Sequence, residues 1–157
     1  MQKMIFSIIM LTIGFSAITA TANLTQPLQT AFAMKIDTVA NMYQQDVNNQ
    51  GMDKPVVLQQ YANPELRAAM QREQDYFDKA KTSCHVGYDV LWNSQDPDYA
   101  QDKLFSVTTT GLVQVSLAHG HKVYYELSCD NSVCQVVDVI LDEDGTSLRE
   151  HLQTACR

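Results

Sequence analysis

Four acidic side chains surround a glycine in the stretch ILDEDGTSLREH (residues 140–151): Asp142, Glu143, Asp144 and Glu150. An EF-hand calcium loop also groups carboxylates around a glycine, but it needs a ligand at its first position and a bidentate glutamate at its twelfth. When Gly145 takes the glycine position, these two positions fall on Ile140 and His151. Because neither side chain is a carboxylate, the sequence predicts no calcium site here.

The same stretch fits the end of a strand followed by a short helix. Gly145 can adopt the positive φ that a tight turn requires. The order of Ser147 and Glu150 forms a capping box, in which the serine side chain accepts from the glutamate N–H and the glutamate returns to the serine N–H. We therefore expect a C-terminal helix that packs Leu148 and Leu152 inward.

Histidines occur at two further places where metal or nucleophilic chemistry is conceivable. His119 and His121 flank Gly120, and His85 follows Cys84. A zinc site needs three or four converging ligands, and two histidines beside a turn glycine are more typical of an exposed turn. A Cys–His nucleophile would need a free thiol, which a disulfide at Cys84 removes. We predict no metal site and no cofactor.

Asp96, Asp98 and Asp102 lie close enough in sequence to provide paired carboxylates for acid–base catalysis. They surround Pro97 in a polar stretch that is more typical of a solvated loop. The chain also lacks G-x-S-x-G, H-E-x-x-H and P-loop motifs. The sequence therefore nominates no catalytic residue by motif.

The four cysteines are Cys84, Cys129, Cys134 and Cys156, and an even number in an exported chain is typical of two disulfides. Three pairings are possible. The turn-rich DNSV between Cys129 and Cys134 would place these two residues opposite each other across a hairpin. We predict that pair together with Cys84–Cys156, and reduced thiols or a Cys/His metal site remain the alternative.

Residues 1–22 have the order of a secretory signal peptide. Lys3 precedes an apolar run of about 15 residues, which ends in small residues at Ala20 and Ala22. A membrane anchor is the alternative, but the run is shorter than the roughly 20 residues that span a bilayer. We expect cleavage before Asn23 and a periplasmic or secreted protein with no membrane insertion after cleavage.

The charge of the chain limits its partners. The net charge is −7, and loss of Lys3 with the signal would make it −8. An acidic surface repels phosphate backbones and anionic lipid headgroups, so neither nucleic acid nor such a membrane is an expected partner.

Apolar spacing predicts three helices in the first half of the mature chain. Residues 25–48 repeat apolar side chains at steps of three and four, and residues 55–61 form a short second helix. The third begins at the N-cap Asn63 and runs to about Lys81. Its predicted buried face comprises Leu66, Met70 and Phe77.

Alternating patterns predict strands in the second half. Residues 85–92 are a possible short strand, and period-two alternation covers 104–109, 112–118 and 122–128. Residues 134–141 contain few polar residues and form a further predicted strand. The His119–Gly120 pair is typical of a tight hairpin turn. Helices followed by about four antiparallel strands predict a single α+β domain over residues 23–157, with a short C-terminal helix.

The segment CQVVDVILDEDGTSLREHL resembles the last strand and terminal helix of an uncharacterised family of exported bacterial proteins with a nuclear-transport-factor-2-like fold. Five residues carry the resemblance: Asp138, Gly145, Ser147, Leu148 and Arg149. Cys134 stands where the family has a tryptophan. The resemblance implies a cone, in which N-terminal helices are wrapped by a curved antiparallel sheet. The family has no established activity, so the likeness implies a fold and a compartment rather than a reaction.

Aromatic side chains are frequent on the elements that would line such a cone, and they can fill a core or border a pocket. If there is a pocket, Trp92 and Tyr125 are the expected binding residues. We expect an exported, non-catalytic binding or accessory module for an envelope protein or a small ligand, with inhibitor and immunity roles included. The alternative is a small enzyme that uses Asp138 as its acid or base.

Overall fold

The structure, a computed structural model, describes residues 26–85, 87–141 and 145–157. The expected signal peptide and the acidic residues 142–144 lie outside the described residues. Among the helices of the described part, none is long and apolar enough to cross a membrane.

Three helices open the described chain: α1 (Gln26–Asn49), α2 (Val57–Tyr61) and α3 (Pro64–Ala80). Asn63 caps α3 as predicted, because its side chain accepts a 2.9 Å hydrogen bond from the Leu66 N–H. Lys81 ends α3 in the left-handed conformation and donates its N–H to the Phe77 carbonyl. The predicted burial of α3 is correct at Leu66 and wrong at Phe77, whose side chain is 47% exposed.

Four antiparallel strands follow in meander order: β1 (Leu104–Val107), β2 (Val113–Ser116), β3 (Lys122–Asp130) and β4 (Val133–Ile140). A short 3-10 turn joins β2 to β3, and His119 and Gly120 both adopt positive φ there, as in a tight hairpin. Helix α1 packs against all four strands. The core therefore lies between α1 and one face of the sheet.

The predicted strand at 85–92 is wrong, because the described residues of this segment form turns with one isolated bridge between Asp89 and Ser94. The Asp89 carboxylate accepts from the Leu91 N–H at 2.8 Å and from the Trp92 N–H at 3.4 Å. An aspartate that binds backbone groups two and three residues ahead stabilises a turn instead of a strand.

A register shift in β4 determines which of its side chains enter the core. Leu127 and Glu126 are consecutive on β3, yet they pair with Val136 and Asp138, two residues apart on β4. The extra residue lets Val136 and Val139 both be fully buried. Asp138 instead shares the sheet face of its partner Glu126, where the start of the last helix covers it.

Helix α4 (Leu148–Ala155) closes the domain and buries Leu148 and Leu152, as predicted. Both predicted disulfides are present. Cys84–Cys156 ties the segment after α3 to the end of α4 across 72 residues of sequence. Cys129 and Cys134 are direct partners in the β3–β4 register, and their bridge closes that hairpin. The α+β prediction is thus confirmed, with helices, a four-stranded antiparallel sheet and a short terminal helix.

Ser147→Ala is expected to lower the free energy of unfolding by about 1 kcal/mol, the typical effect of losing a helix cap. The Ser147 hydroxyl accepts from the Glu150 N–H at 3.0 Å, so its removal leaves one N–H of the first turn without its partner. Urea unfolding of the purified protein measures the loss. We also expect calcium to leave the melting temperature unchanged, and a calcium-dependent rise of several degrees would contradict the turn interpretation of residues 140–151.

Candidate functional site

An aromatic cluster occupies the space between α1 and the sheet. The rings of Trp92 and Tyr125 both meet Tyr43 edge to face, at centroid distances of 5.3 and 6.1 Å. All three side chains are fully buried. The Tyr43 hydroxyl donates to the Leu91 carbonyl, so its 2.9 Å contact with the Tyr125 hydroxyl is accepted from Tyr125.

The two predicted binding residues are therefore brought together through Tyr43 inside the domain. Burial raises the pKa of the Tyr43 and Tyr125 hydroxyls well above their usual value, so both stay protonated. Trp92 also borders a cleft of about 200 Å³ with the predicted turn histidines, His119 and His121. A binding role for Trp92 and Tyr125 stays a prediction.

Asp138, the acid nominated for an enzyme, is 3% exposed and surrounded by hydrogen-bond donors. One carboxylate oxygen accepts from the Arg149 N–H at 3.0 Å and from the Val139 N–H at 2.8 Å. The other accepts from the Ser147 hydroxyl and lies 3.9 Å from the Arg149 guanidinium. These contacts make Asp138 the anchor of the first turn of α4.

An open groove of about 980 Å³ lies between the loop after α1 and helix α3. We call it the helical groove. Its lining residues are Gly51, Met52, Asp53, Lys54, Pro55, Val56, Gln59, Met70, Gln71, Glu73, Gln74, Phe77 and Ser83.

The helical groove gathers exposed apolar side chains. Met52, Val56 and Phe77 are 71%, 51% and 47% exposed, and they are three of the five exposed large apolar side chains among the described residues. The other two, Leu104 and Val133, lie elsewhere on the sheet. Apolar side chains that share one groove, unlike single scattered ones, are typical of an interaction surface.

A second cleft of about 390 Å³, which we call the acidic cleft, continues from the helical groove and shares Gly51, Val56, Met70 and Glu73 with it. Asp46 and Asp89 also line it. Burial raises the pKa of the carboxyl groups of Asp46, Glu73 and Asp89, and the charge of Asp46 raises the pKa of Asp89 further.

All three carboxylates have structural partners inside the protein, and the Ser83 hydroxyl donates to Glu73 at 3.5 Å. The Trp92 indole N–H donates to Asp46 at 2.6 Å, and Asp89 holds the turn described above. A pair of carboxyl groups with raised pKa values in one cleft could exchange protons with a ligand or attract a cation. Hydrogen bonds from the protein already hold the carboxylates of Asp46 and Asp89. The arrangement is therefore better suited to attracting a cation than to exchanging protons with a ligand.

Sequence reasoning missed Asp46 and Asp89. One signal was available for Asp46, because helical spacing places it on the buried face of Val39, Met42 and Tyr43. A carboxylate on an apolar helix face must find a partner, which here is Trp92. Asp89 gave no such signal, because its role depends on a turn that was interpreted as a strand.

His85 and His151 lie beside the Cys84–Cys156 bridge, with their ring centroids 5.4 Å apart. Both ring nitrogens of His85 and Nε2 of His151 are buried and have no hydrogen-bond partner among the described residues. Burial, with a smaller effect from His151, lowers the pKa of His85 to about 4. The imidazole of His85 is therefore neutral at pH 7.

Acidification from pH 7 to pH 5 is expected to remove about 1–2 kcal/mol of stability through His85. Because its pKa is about 4 in the folded state and about 6.5 when unfolded, the unfolded chain binds more protons between these values. The contribution is full above pH 6.5 and is lost as the pH falls toward 4.

Urea unfolding of His85→Gln at both pH values separates the contribution of His85 from that of the carboxyl groups in the acidic cleft. Their raised pKa values stabilise the folded protein on acidification, which is the opposite direction. The variant should lose less stability on acidification than the wild type. An identical pH dependence in both proteins would show that His85 does not titrate as its burial requires.

Gly51→Ala is expected to lower the free energy of unfolding by about 2 kcal/mol, because of backbone strain and a steric clash. Gly51 has a φ of +69°, and a Cβ atom there would collide with the Tyr99 hydroxyl. Gly111→Ala is the matched control, since its φ is +86° and a Cβ would meet nothing. Equal losses in urea unfolding would mean that Tyr99 moves aside without cost.

Four of the other residues predicted for chemistry, Asp96, Asp98, His119 and His121, line one small cleft. Asp96 and Asp98 lie in the turn-rich loop before β1, with His119 and His121 across the small cleft beside Trp92. Within the described ranges, no group of three or more His, Cys, Asp or Glu side chains is arranged to hold a metal ion. The helical groove and the acidic cleft are therefore the candidate site.

Comparison of the chain with protein-family models, with curated proteins and with solved structures gives no match.

Proposed function

We propose that this protein is an exported, non-catalytic binding module of the cell envelope, periplasmic or secreted, whose docking surface is the helical groove. The observation that carries the proposal is the grouping of Met52, Val56 and Phe77, all largely exposed, along one open groove. The aromatic residues of the interior are committed to contacts with each other. A partner protein is therefore favoured over a small ligand held inside the domain, and inhibition of a secreted toxin is one form of this role.

The compartment rests on two features. Residues 1–22 have the pattern of a signal peptide, and the domain contains two disulfides, which persist in oxidising compartments. The acidic charge supports a protein partner over nucleic acid.

Photo-crosslinking in the producing cell tests the docking surface. A benzophenone amino acid replaces Gln74, an exposed residue of α3 that lines the helical groove, or Gln153, an exposed residue of α4 outside it. We expect a discrete covalent adduct from position 74 and none from 153. The adduct should disappear when Val56 and Phe77 are both replaced by serine. Adducts of equal yield from both positions would contradict a docking role for the groove.

The alternative is a small enzyme with Asp138 as its acid or base. The hydrogen bonds of Asp138 to the start of α4 support a structural role instead. A screen of the purified protein against hydrolase substrates tests this alternative, and turnover that is lost in Asp138→Asn, with no partner recovered, would overturn the binding function.

We also infer that the sheet curves around the helices as in the nuclear-transport-factor-2-like family. The order of helices before an antiparallel meander supports this, as do the mutual contacts of Asp138, Ser147 and Arg149, three residues that carry the resemblance. An experimental structure tests the inference, and a sheet that does not wrap α1 would contradict it.

A further inference from the structure

Resting on the proposed binding function, we infer that the partner segment received by the helical groove is a basic, amphipathic stretch of polypeptide. The apolar side chains of the groove call for apolar residues, and the charges along the groove and the acidic cleft call for lysine or arginine beside them. The partner is thereby assigned to basic proteins of the envelope.

Negative charges outnumber positive charges along the two connected clefts. Four carboxylates belong to them, from Asp46, Asp53, Glu73 and Asp89, against the single cation of Lys54. His85 also lines the acidic cleft, but its lowered pKa leaves it neutral at pH 7. The candidate surface is therefore negative in its own right, beyond the net charge of −7 for the chain.

These carboxylates are positioned to attract a cation strongly. Asp46 is 4% exposed, and the burial that raises the pKa of Asp46, Glu73 and Asp89 also leaves their charges poorly solvated. A cation brought nearby interacts more strongly in such surroundings than in water. An ammonium or guanidinium group of the partner would supply that cation.

The apolar side chains exclude a purely polar polycation as the best ligand. Phe77 and Val56 remain about half exposed in the free protein, so their burial by a partner releases apolar surface from water. A few well-packed side chains near the centre of an interface, aromatic ones prominent among them, contribute most of its affinity. The fitting segment therefore combines apolar residues with basic ones on a neighbouring face.

A second copy of this chain fits the same surface poorly. Each copy has a net charge of −7 and would bring further carboxylates to a groove that already has an excess of them. Like charges across an interface disfavour association. Self-association through the groove is therefore a contrary outcome of the test.

Three synthetic peptides of about 14 residues, roughly four helical turns, provide the probes. One combines leucine and lysine in an amphipathic order, one replaces every lysine by glutamate, and one replaces every leucine by serine. Calorimetry measures binding to the exported protein. Trp92, the single tryptophan, reports it by fluorescence, since its indole N–H is bonded to Asp46 in the acidic cleft.

We expect the leucine–lysine peptide to bind at least about tenfold more tightly than either of the others, and to weaken about tenfold between roughly 0.05 and 0.5 M salt. Val56→Ser with Phe77→Ser should abolish this binding. Glu73→Gln should weaken it about fivefold, as expected for the loss of one charge contact. Leu104→Ser and Asp37→Asn, exposed positions outside both clefts, are matched controls and should leave it unchanged.

The contrary outcomes separate the two proposals. Equal binding of the leucine–glutamate peptide, or a position-74 adduct with an acidic protein, would overturn the basic partner and keep the docking surface. Peptide binding that survives the Val56 and Phe77 substitutions would overturn the groove as its site. A dimer that these substitutions dissociate would show that the groove receives a second copy. The absence of a groove-dependent adduct would overturn the proposed function itself.

Discussion

Loss of the Cys84–Cys156 disulfide is expected to lower the free energy of unfolding by about 4 kcal/mol, against about 2 kcal/mol for loss of Cys129–Cys134. The difference follows from the two sequence separations, 72 and 5 residues, because a longer loop restricts the unfolded chain more. The longer loop contains the whole sheet and all of α4.

Urea unfolding of the double-alanine variants, followed by the fluorescence of Trp92, measures both losses. Alanine is the suitable replacement because Cys134 and Cys156 are buried, and serine would add an unpaired hydroxyl to the core. Equal losses in the two variants would show that local packing around each bridge, rather than loop closure, sets its contribution.

Both pairings were accessible from the sequence because one of them is local. The turn-rich DNSV between Cys129 and Cys134 predicts a hairpin, and in the structure the two cysteines are direct partners across it. Cys84 and Cys156 then had no other partners. The strands were predictable for a similar reason, since each is a short apolar or alternating stretch that pairs with its neighbour in sequence.

The helical groove was not predictable, and Phe77 shows why. Its spacing from Leu66 and Met70 places all three on one face of α3, so periodicity predicts that all three are buried. In the structure burial declines along the helix, from the fully buried Leu66 to the half-exposed Phe77. Periodicity identifies a face, but only the tertiary arrangement determines how far along that face a neighbour extends.

The acidic cleft was hidden for a different reason. Asp46 and Asp89 come from a helix and a turn that are 43 positions apart, and each is joined to the residues around Trp92. Their proximity depends on how α1 packs against the segment before β1. No local sequence pattern predicts this proximity. The only signal was Asp46 itself, the single carboxylate on the buried face of α1.

Asp138 was nominated from the sequence as the acid or base of a possible enzyme, whereas its hydrogen bonds in the structure indicate a structural role. The two roles predict different effects when Asp138 is substituted. A catalytic carboxylate contributes little to stability and much to turnover, whereas a buried anchor contributes to stability directly. The donors around Asp138, from Ser147, Arg149 and Val139, favour the anchor.

Asp138→Ala is therefore expected to lower the free energy of unfolding by about 3 kcal/mol, because a buried charge is removed from donors that then have no acceptor. Asp138→Asn should cost less, since its amide oxygen still accepts from a backbone N–H. Leu104→Ala, at an exposed site on β1, is the control for a substitution that should change stability little.

A double-mutant cycle with Ser147→Ala tests the contact itself. The Ser147 hydroxyl donates to Asp138 and caps α4, so the two substitutions remove one shared hydrogen bond. We expect the double variant to lose about 3 kcal/mol, less than the sum of the single losses, because neighbours in one network are not additive. Additive losses would show that the serine and the aspartate act independently. In that case Asp138 would not hold the first turn of α4 through Ser147, and its burial beside Arg149 would need another explanation.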